Sequence, residues 1–323
     1  MHAHSDTGQS PIRIGISSCL LGEKVRFDKG HKRDAFIVET LGQFFSWTPV
    51  CPEMEIGLGT PRESLRLIGD AAAPQLIAPK SQSDYTEPMQ QFADHRLAQL
   101  EDLELHGYIL KKGSPSCGMT RVRVYANSGI PQRNGQGLFT RALMERLPLL
   151  PVEEEGRLHD MPLRENFIER VFAYHRWRRL VASNPTPGHV VQFHSQNKMS
   201  LLAHSRSHYQ ALGRLVAQAG TLPIDDLLRE YGAQFMAGLK VKATRKKHAN
   251  VLSHLQGYLK KHLDAVDKAE LVTCIDDYRQ VLVPLVVPLT LLQHHFRRHP
   301  TPWVEEQTYL NPYPAELMLR NHV

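Results

Sequence analysis

Three of the chain's four cysteines stand in turn-like sequence just after an apolar run. Cys19 lies in SSCLLG after IRIGI, Cys51 opens CPE after FFSWTPV, and Cys117 lies in KKGSPSCG after HGYIL. Such turns expose a thiol and supply backbone N–H groups beside it. Three thiolates suit more than one chemistry. Zinc takes four ligands, or three and a water at a catalytic site. A [4Fe–4S] cluster usually takes four cysteines, so with three one iron stays open to a soft substrate atom such as sulfur. Three unrelated buried thiols are the plain alternative. Cys274, in ELVTCIDDY, sits in an amphipathic helical pattern and reads as a packing residue. There is no CxxC, no Cys/His quartet of zinc-finger spacing and no HExxH. Cys117 and Arg123 do fit C-x5-R, the spacing of cysteine-dependent phosphatases. The intervening TRVRVY is β-branched and alternating, however, and should extend rather than wrap an anion.

The elements that must position these cysteines read as an α/β pattern. Strands are expected at 12–16, 44–50 and 107–112, with a further one at RVRVY. Helices are expected at 32–43 and 92–106, and another begins in GQGLFTRALMERLP. Strands alternating with helices argue for a mainly parallel sheet with flanking helices. In such a sheet the strand C-termini share one edge, where ligands bind. Cysteines 32 and 66 residues apart in sequence would then converge in space. Prolines, a glycine and the acidic run Glu153-Glu154-Glu155 mark a boundary between 147 and 165, and the acidic run is expected to be solvated. Helical patterns dominate beyond it, giving an α/β domain over 1–160 and an all-α domain over 161–323. In the long stretch from Ala233 to Asp264, Leu252, Leu255, Leu259 and Leu263 share one face. Arg245 falls near that apolar face, which a solvated charge would avoid.

The bulk numbers narrow the classes. A length of 323 residues suggests about two domains, and a hydrophobic fraction of 41% is ordinary for a globular chain. No apolar run approaches the roughly 20 residues needed to span a bilayer. The start, MHAHSDTGQSP, lacks a basic segment followed by an apolar core, so it reads as a short flexible tail and the protein as cytoplasmic. Charge is uneven: residues 1–164 carry a net −1 and residues 165–323 a net +7, with 12 of the 18 histidines. A basic second half suits a polyanion, or is a solvated face without a partner. The phosphate-binding candidates are Arg176, Arg178 and Arg179 in YHRWRRL and Lys240, Lys242, Lys246 and Lys247 in KVKATRKK, with Arg297 and Arg298 behind them. Tyr174 and Trp177 could stack on a base or belong to the core. Lys111, Lys112, Arg26 and Lys29 either steer a phosphate backbone or solvate a strand end.

SSCLLGEKVRFDKGHK, VCPEMEIGLGTPRE and KKGSPSCG, in that order, resemble the thiouracil desulfurase family over roughly residues 12–160. The resemblance implies a [4Fe–4S] cluster bound by Cys19, Cys51 and Cys117, with Glu53 and Ser114 catalytic and Glu55 and Ser116 as close competitors. FHSQNKMSLLAHSRSHYQALGRLVA (193–217) and QTYLNPYPAELMLR (307–320) resemble the helical domain often fused behind it. That fused arrangement resembles desulfidases acting on 4-thiouridine in transfer RNA. It implies transfer RNA as partner and hydrolysis of C=S to C=O, with Glu53 as general base and Ser114 as a hydrogen-bonding or relay group. No protein partner is inferred. Desulfuration of free thiouracil or thiouridine is the alternative within the same chemistry. A non-catalytic RNA-binding or redox-sensing metalloprotein is the alternative of another class.

Overall fold

A computed structural model describes residues 12–126 and 129–322; the expected N-terminal tail lies outside the described residues. The chain divides into two compact units, Met1–Asp160 and Met161–Val323.

Among its described residues the first unit holds nine strands: β1 (Ile12–Ser17), β2 (Phe45–Val50), β3 (Arg66–Ile68), β4 (Gln75–Ala78), β5 (Ser83–Asp84), β6 (Gly107–Leu110), β7 (Val122–Tyr125), β8 (Pro131–Gly135) and β9 (Val152–Glu154). Its helices are α1 (Pro52–Glu55), α2 (Thr86–Asp102) and α3 (Leu138–Arg146). Four strands form a wholly parallel sheet in the order β2-β1-β6-β9. β1 is internal to the sheet, and its consecutive residues Ile14, Gly15 and Ile16 are all buried, as a strand covered on both faces requires. Gly15 lets the sheet's neighbour in: a Cβ there would lie 2.3 Å from the Tyr108 ring on β6. The chain leaves β1 to one side for β2 and returns on the other side for β6. That reversal opens a crevice at the C-terminal ends of β1 and β6.

Two expectations change. The stretch 32–43 forms only a short π-helical turn, Phe36–Thr40, and a 3₁₀ turn, Leu41–Gln43. The acidic run is not solvated. Glu153 and Glu154 are buried, and Glu154 Oε1 accepts from the Met119 and Thr120 amides. The unexpected element is a second sheet, in the order β5-β4-β3-β7-β8, which takes in the predicted RVRVY strand.

The second unit is helical: α4 (Met161–Ala182), α5 (Pro187–His204), α6 (Arg206–Ala217), α7 (Ile224–Lys240), α8 (Arg245–Leu259), α9 (Ala265–Arg279), α10 (Val286–Arg298) and α11 (Pro302–Glu305). Leu252, Leu255, Leu259 and Leu263 all lie in its core. The long helical stretch breaks between Lys240 and Arg245, although no glycine or proline stands there. Other elements take the carbonyls at the break. Asn166 Nδ2 donates to Leu239 O (2.9 Å), His204 Nδ1 bonds Val241 O (2.7 Å), and Lys247 Nζ reaches Lys242 O (3.3 Å). Arg245 fits beside the apolar face because its guanidinium donates to Tyr278 O (2.9 Å) and lies 4.7 Å from the Tyr278 ring centre. Among the described residues no helix is long and apolar enough to cross a membrane.

Candidate active site

Cys19 follows β1 in a 3₁₀ turn, Ser18–Leu21, that ends on Gly22 in the left-handed region at φ 102°. Cys51 follows β2 and is the N-cap residue of α1, with Pro52 at its first position. That single turn carries Glu53 and Glu55. Cys117 follows β6 across a tight loop, in which Ser114 Oγ accepts from the amides of Ser116 (3.2 Å) and Cys117 (3.1 Å). Thr140 Oγ1 holds Cys117 O at 2.8 Å. At Gly137 a Cβ would sit 2.4 Å from Ser116 O, so the start of α3 packs directly on this loop. The Cys117–Arg123 spacing wraps nothing: Arg123 is an exposed residue of β7.

All three thiols face one cavity of about 410 Å³, together with Glu53, Ser114 and Ser17. Glu55 and Ser116 are not part of its wall. Glu55 instead accepts from the Cys51 amide (2.9 Å) and pairs with Arg96 (3.2 Å). Ser116 is fully buried, and its hydroxyl donates to Glu53 Oε1 at 3.0 Å. Glu53 Oε2 receives both Nε (3.1 Å) and Nη2 (2.7 Å) of Arg62, so with Ser116 on Oε1 each carboxylate oxygen is held by a separate partner. Arg62 is itself tied to Gly59 O at 2.7 Å. The sequence reading missed Arg62. Its signal was an arginine across a Gly/Pro-rich loop from Glu53, and a loop gives no period from which to read a partner.

The thiols feel one another. Burial pushes Cys19 up to about 11, reinforced by Cys51. Burial also raises Cys51, and raises Cys117 well above the thiol range, with Glu53 and Cys51 adding to it; a hydrogen bond with Ser17 opposes. Three thiolates and a glutamate around one cavity repel in the absence of a cation. Among the described residues no group of three or more His, Cys, Asp or Glu is gathered tightly enough for a single metal ion. Three thiols on the wall of one cavity of this size are a donor set that fits a polynuclear, thiolate-bound group.

Lys111 is committed to the acidic run by its side chain, Lys112 only by its backbone, its side chain being exposed. Lys111 Nζ pairs with Glu155, and the Lys112 amide donates to Glu155 (2.6 Å). Arg26 lies on the cavity wall near Asp28 (3.6 Å), and Lys29 is exposed. In the helical unit Arg179, Lys240, Lys242 and Lys246 are exposed, while Arg176, Arg178 and Lys247 are half-buried. Arg176 Nη1 donates to Pro312 O (2.8 Å), and Lys247 Nζ to His204 O (2.5 Å). Tyr174 and Trp177 are core residues; Trp177 packs on Phe193 and Tyr231. Cys274 is half-buried on α9.

Comparison with known proteins agrees with this division. Residues 14–155 match the 2-thiouracil desulfurase family, and residues 198–314 match DUF1722, a family of unknown function. The uncharacterized protein YbgA of Escherichia coli is 34% identical over 47% of this chain and 90% of its own length. The uncharacterized protein YbbK of Bacillus subtilis is 33% identical over 32% of this chain and 72% of its own length. A solved [4Fe-4S]-dependent thiouracil desulfidase, TudS, is 31% identical over 46% of this chain and 93% of its own, with a TM-score of 0.38. The chain belongs to the 2-thiouracil desulfurase family and carries a helical domain behind the family's α/β domain.

Proposed function

We propose that the protein is an iron–sulfur-dependent desulfidase that converts 4-thiouridine in transfer RNA to uridine by hydrolysis. The carrying observation is the single cavity that joins Cys19, Cys51 and Cys117 to Glu53 and Ser114. The three cysteines would hold a [4Fe–4S] cluster. When bound, such a group supplies a Lewis-acidic iron with affinity for the substrate sulfur.

The chain's own residues supply the rest. Water adds to the thiocarbonyl carbon, the C–S bond breaks, and sulfur leaves as sulfide; no oxidant or reductant is consumed. Glu53 takes the proton from that water through a carboxylate held by Arg62 and Ser116. Both acceptor positions of Ser114 Oγ are used by the amides of Ser116 and Cys117. Its own O–H is therefore a donor, available to the pyrimidine ring as charge develops there.

The RNA substrate is supported by the basic helical half and by the family resemblance of its ends. It also has an exposed aromatic step: Tyr258, 45% exposed, stacks on Trp303 with ring centres 5.0 Å apart, next to Lys260 and Lys261. The test is incubation of anaerobically isolated protein with 4-thiouridine-containing transfer RNA and, separately, with free 2-thiouracil. Loss of the thio-base from the RNA is the expected result. Conversion of free base alone, with the RNA left intact, contradicts the RNA reading and leaves the free-base desulfurase.

A further inference from the structure

The helical unit encloses a second cavity, of about 310 Å³, unconnected with the thiols and unused by the proposed reaction. Its size is at the lower end of small-molecule sites, roughly 300–1,000 Å³. Its wall is unusually rich in ionisable groups for a helical core. Glu169, His204 and His248 are 3%, 2% and 7% exposed. Lys242 and Thr244 on the same wall are exposed, and the half-buried Glu165 carboxylate there is taken up by Arg320 (3.1 Å) and Tyr313 (2.9 Å), so the cavity runs from a mouth with an exposed lysine to a closed end of carboxylate and imidazole.

The closed end is built from fixed bonds. His204 Nδ1 meets Val241 O at 2.7 Å, and a carbonyl can only accept, so Nδ1 carries a proton. His204 Nε2 lies 3.2 Å from Glu169 Oε2, and one further proton is shared there. Burial opposes the Glu169 charge, but His204 outweighs it and holds the carboxyl well below the usual range. Oε1 of Glu169 has no donor among the described residues. His248 Nδ1 is taken by Tyr309 OH at 2.9 Å, which leaves Nε2 for the cavity. Glu169 Oε1 and His248 Nε2 are therefore the polar atoms left open to the cavity.

The open end suits an anion. Lys242 is exposed, and Arg245 adds a second cation beside Tyr278. The 15-residue helix α8 begins here; Thr244 makes no side-chain cap, and the first amides of the helix lack intrahelical partners. A fitting ligand has one phosphate, a body of small-molecule size, and an N–H edge at the far end for Glu169.

We infer that this cavity is a nucleotide site: Lys242, Arg245 and the α8 N-terminus receive the phosphate, and Glu169 Oε1 receives an N–H of the base, beside His248. The inference does not depend on the desulfidase reading, because it is read by binding alone.

The experiment is calorimetric titration of the full-length protein with each ribonucleoside 5′-monophosphate, with each ribonucleoside, with ribose 5-phosphate and with inorganic phosphate. One saturable site is expected, with a monophosphate binding about tenfold or more tightly than either base-free probe. Glu169→Gln should erase that margin. Lys242→Ala, at an exposed position that does not threaten folding, should weaken the monophosphate by about tenfold while sparing the nucleoside. Displacement of the bound monophosphate by transfer RNA would support the site and identify an RNA nucleotide as occupant. Persistence in excess RNA would support it with the free nucleotide as occupant. No saturable binding, binding equal to that of inorganic phosphate, or full affinity in Lys242→Ala would each overturn the inference.

Discussion

Glu53 shows how much one residue's position decides. It sits two residues after Cys51 on a single helical turn, and its two oxygens are claimed by different partners, Arg62 and Ser116. Replacing Glu53 with Gln keeps the shape of the cavity and removes the base. Turnover should fall by about 10²–10⁴, while iron and sulfide content, measured on the anaerobic protein, stay at the wild-type level. Cys117→Ala should instead lose the iron itself. Activity surviving in Glu53→Gln would shift the base to another group. The convergence of the three cysteines on one cavity was legible in sequence because each lies within a few residues of a strand end, where local order fixes direction; Glu53 was singled out only through the family resemblance. Arg62 was not, since only folding brings it across the loop to Glu53. Glu55 and Ser116 were close competitors within the same two motifs; the structure turns Glu55 toward the Cys51 amide and Arg96, and buries Ser116 with its hydroxyl on Glu53.

At the scale of elements, three strands of the parallel sheet were legible because β1, β2 and β6 are short apolar runs between helical patterns; β9, Val-Glu-Glu, was hidden in the acidic run. The second sheet was not. β8 is PQRNG, polar along its length and exposed until Gly135, so it has no hydrophobic alternation to read. The acidic run was misread for a related reason: charge suggests solvent, and only the fold shows Glu154 and Glu155 bonding the loop and strand end around Cys117. The close seat of α3 on that loop gives a direct prediction. Gly137→Ala would drive a methyl against Ser116 O, 2.4 Å away. It should lower the melting temperature and reduce iron retention together, whereas Gly213→Ala, with open space around it, should leave iron content unchanged. Equal iron in both variants would show that the α3 contact does not hold the Cys117 loop. The break between α7 and α8 was also invisible in sequence, because the side chains that take its carbonyls, Asn166 and His204, come from distant helices.

For the whole molecule, two buried histidines set an acid limit. Burial lowers His194 to about 4 and His248 to about 3, the latter aided by Arg320 and His204. Both are depressed, so the unfolded chain binds these protons first. Their contribution to stability is complete above about pH 6.5 and is lost as the pH falls toward 4 and then 3. Chemical denaturation should show a loss on the order of 6 kcal/mol by pH 4, about 3 kcal/mol from each ring; a flat profile from neutral pH to 4 would show that neither ring is held neutral. If the basic half engages transfer RNA through phosphates, the logarithm of affinity should fall linearly with the logarithm of salt. Salt-independent binding in filter assays would exclude such an interface.

The central claim is hydrolytic desulfuration of a thio-base in RNA, and isotope transfer from water tests it most directly. Anaerobic protein is given 4-thiouridine-containing transfer RNA in ¹⁸O-labelled water, with no oxidant or reductant added, and the RNA is digested to nucleosides for mass spectrometry. The account predicts that 4-thiouridine is replaced by uridine carrying one labelled oxygen, with one sulfide released for each. Retained 4-thiouridine, or uridine without the label, would contradict it.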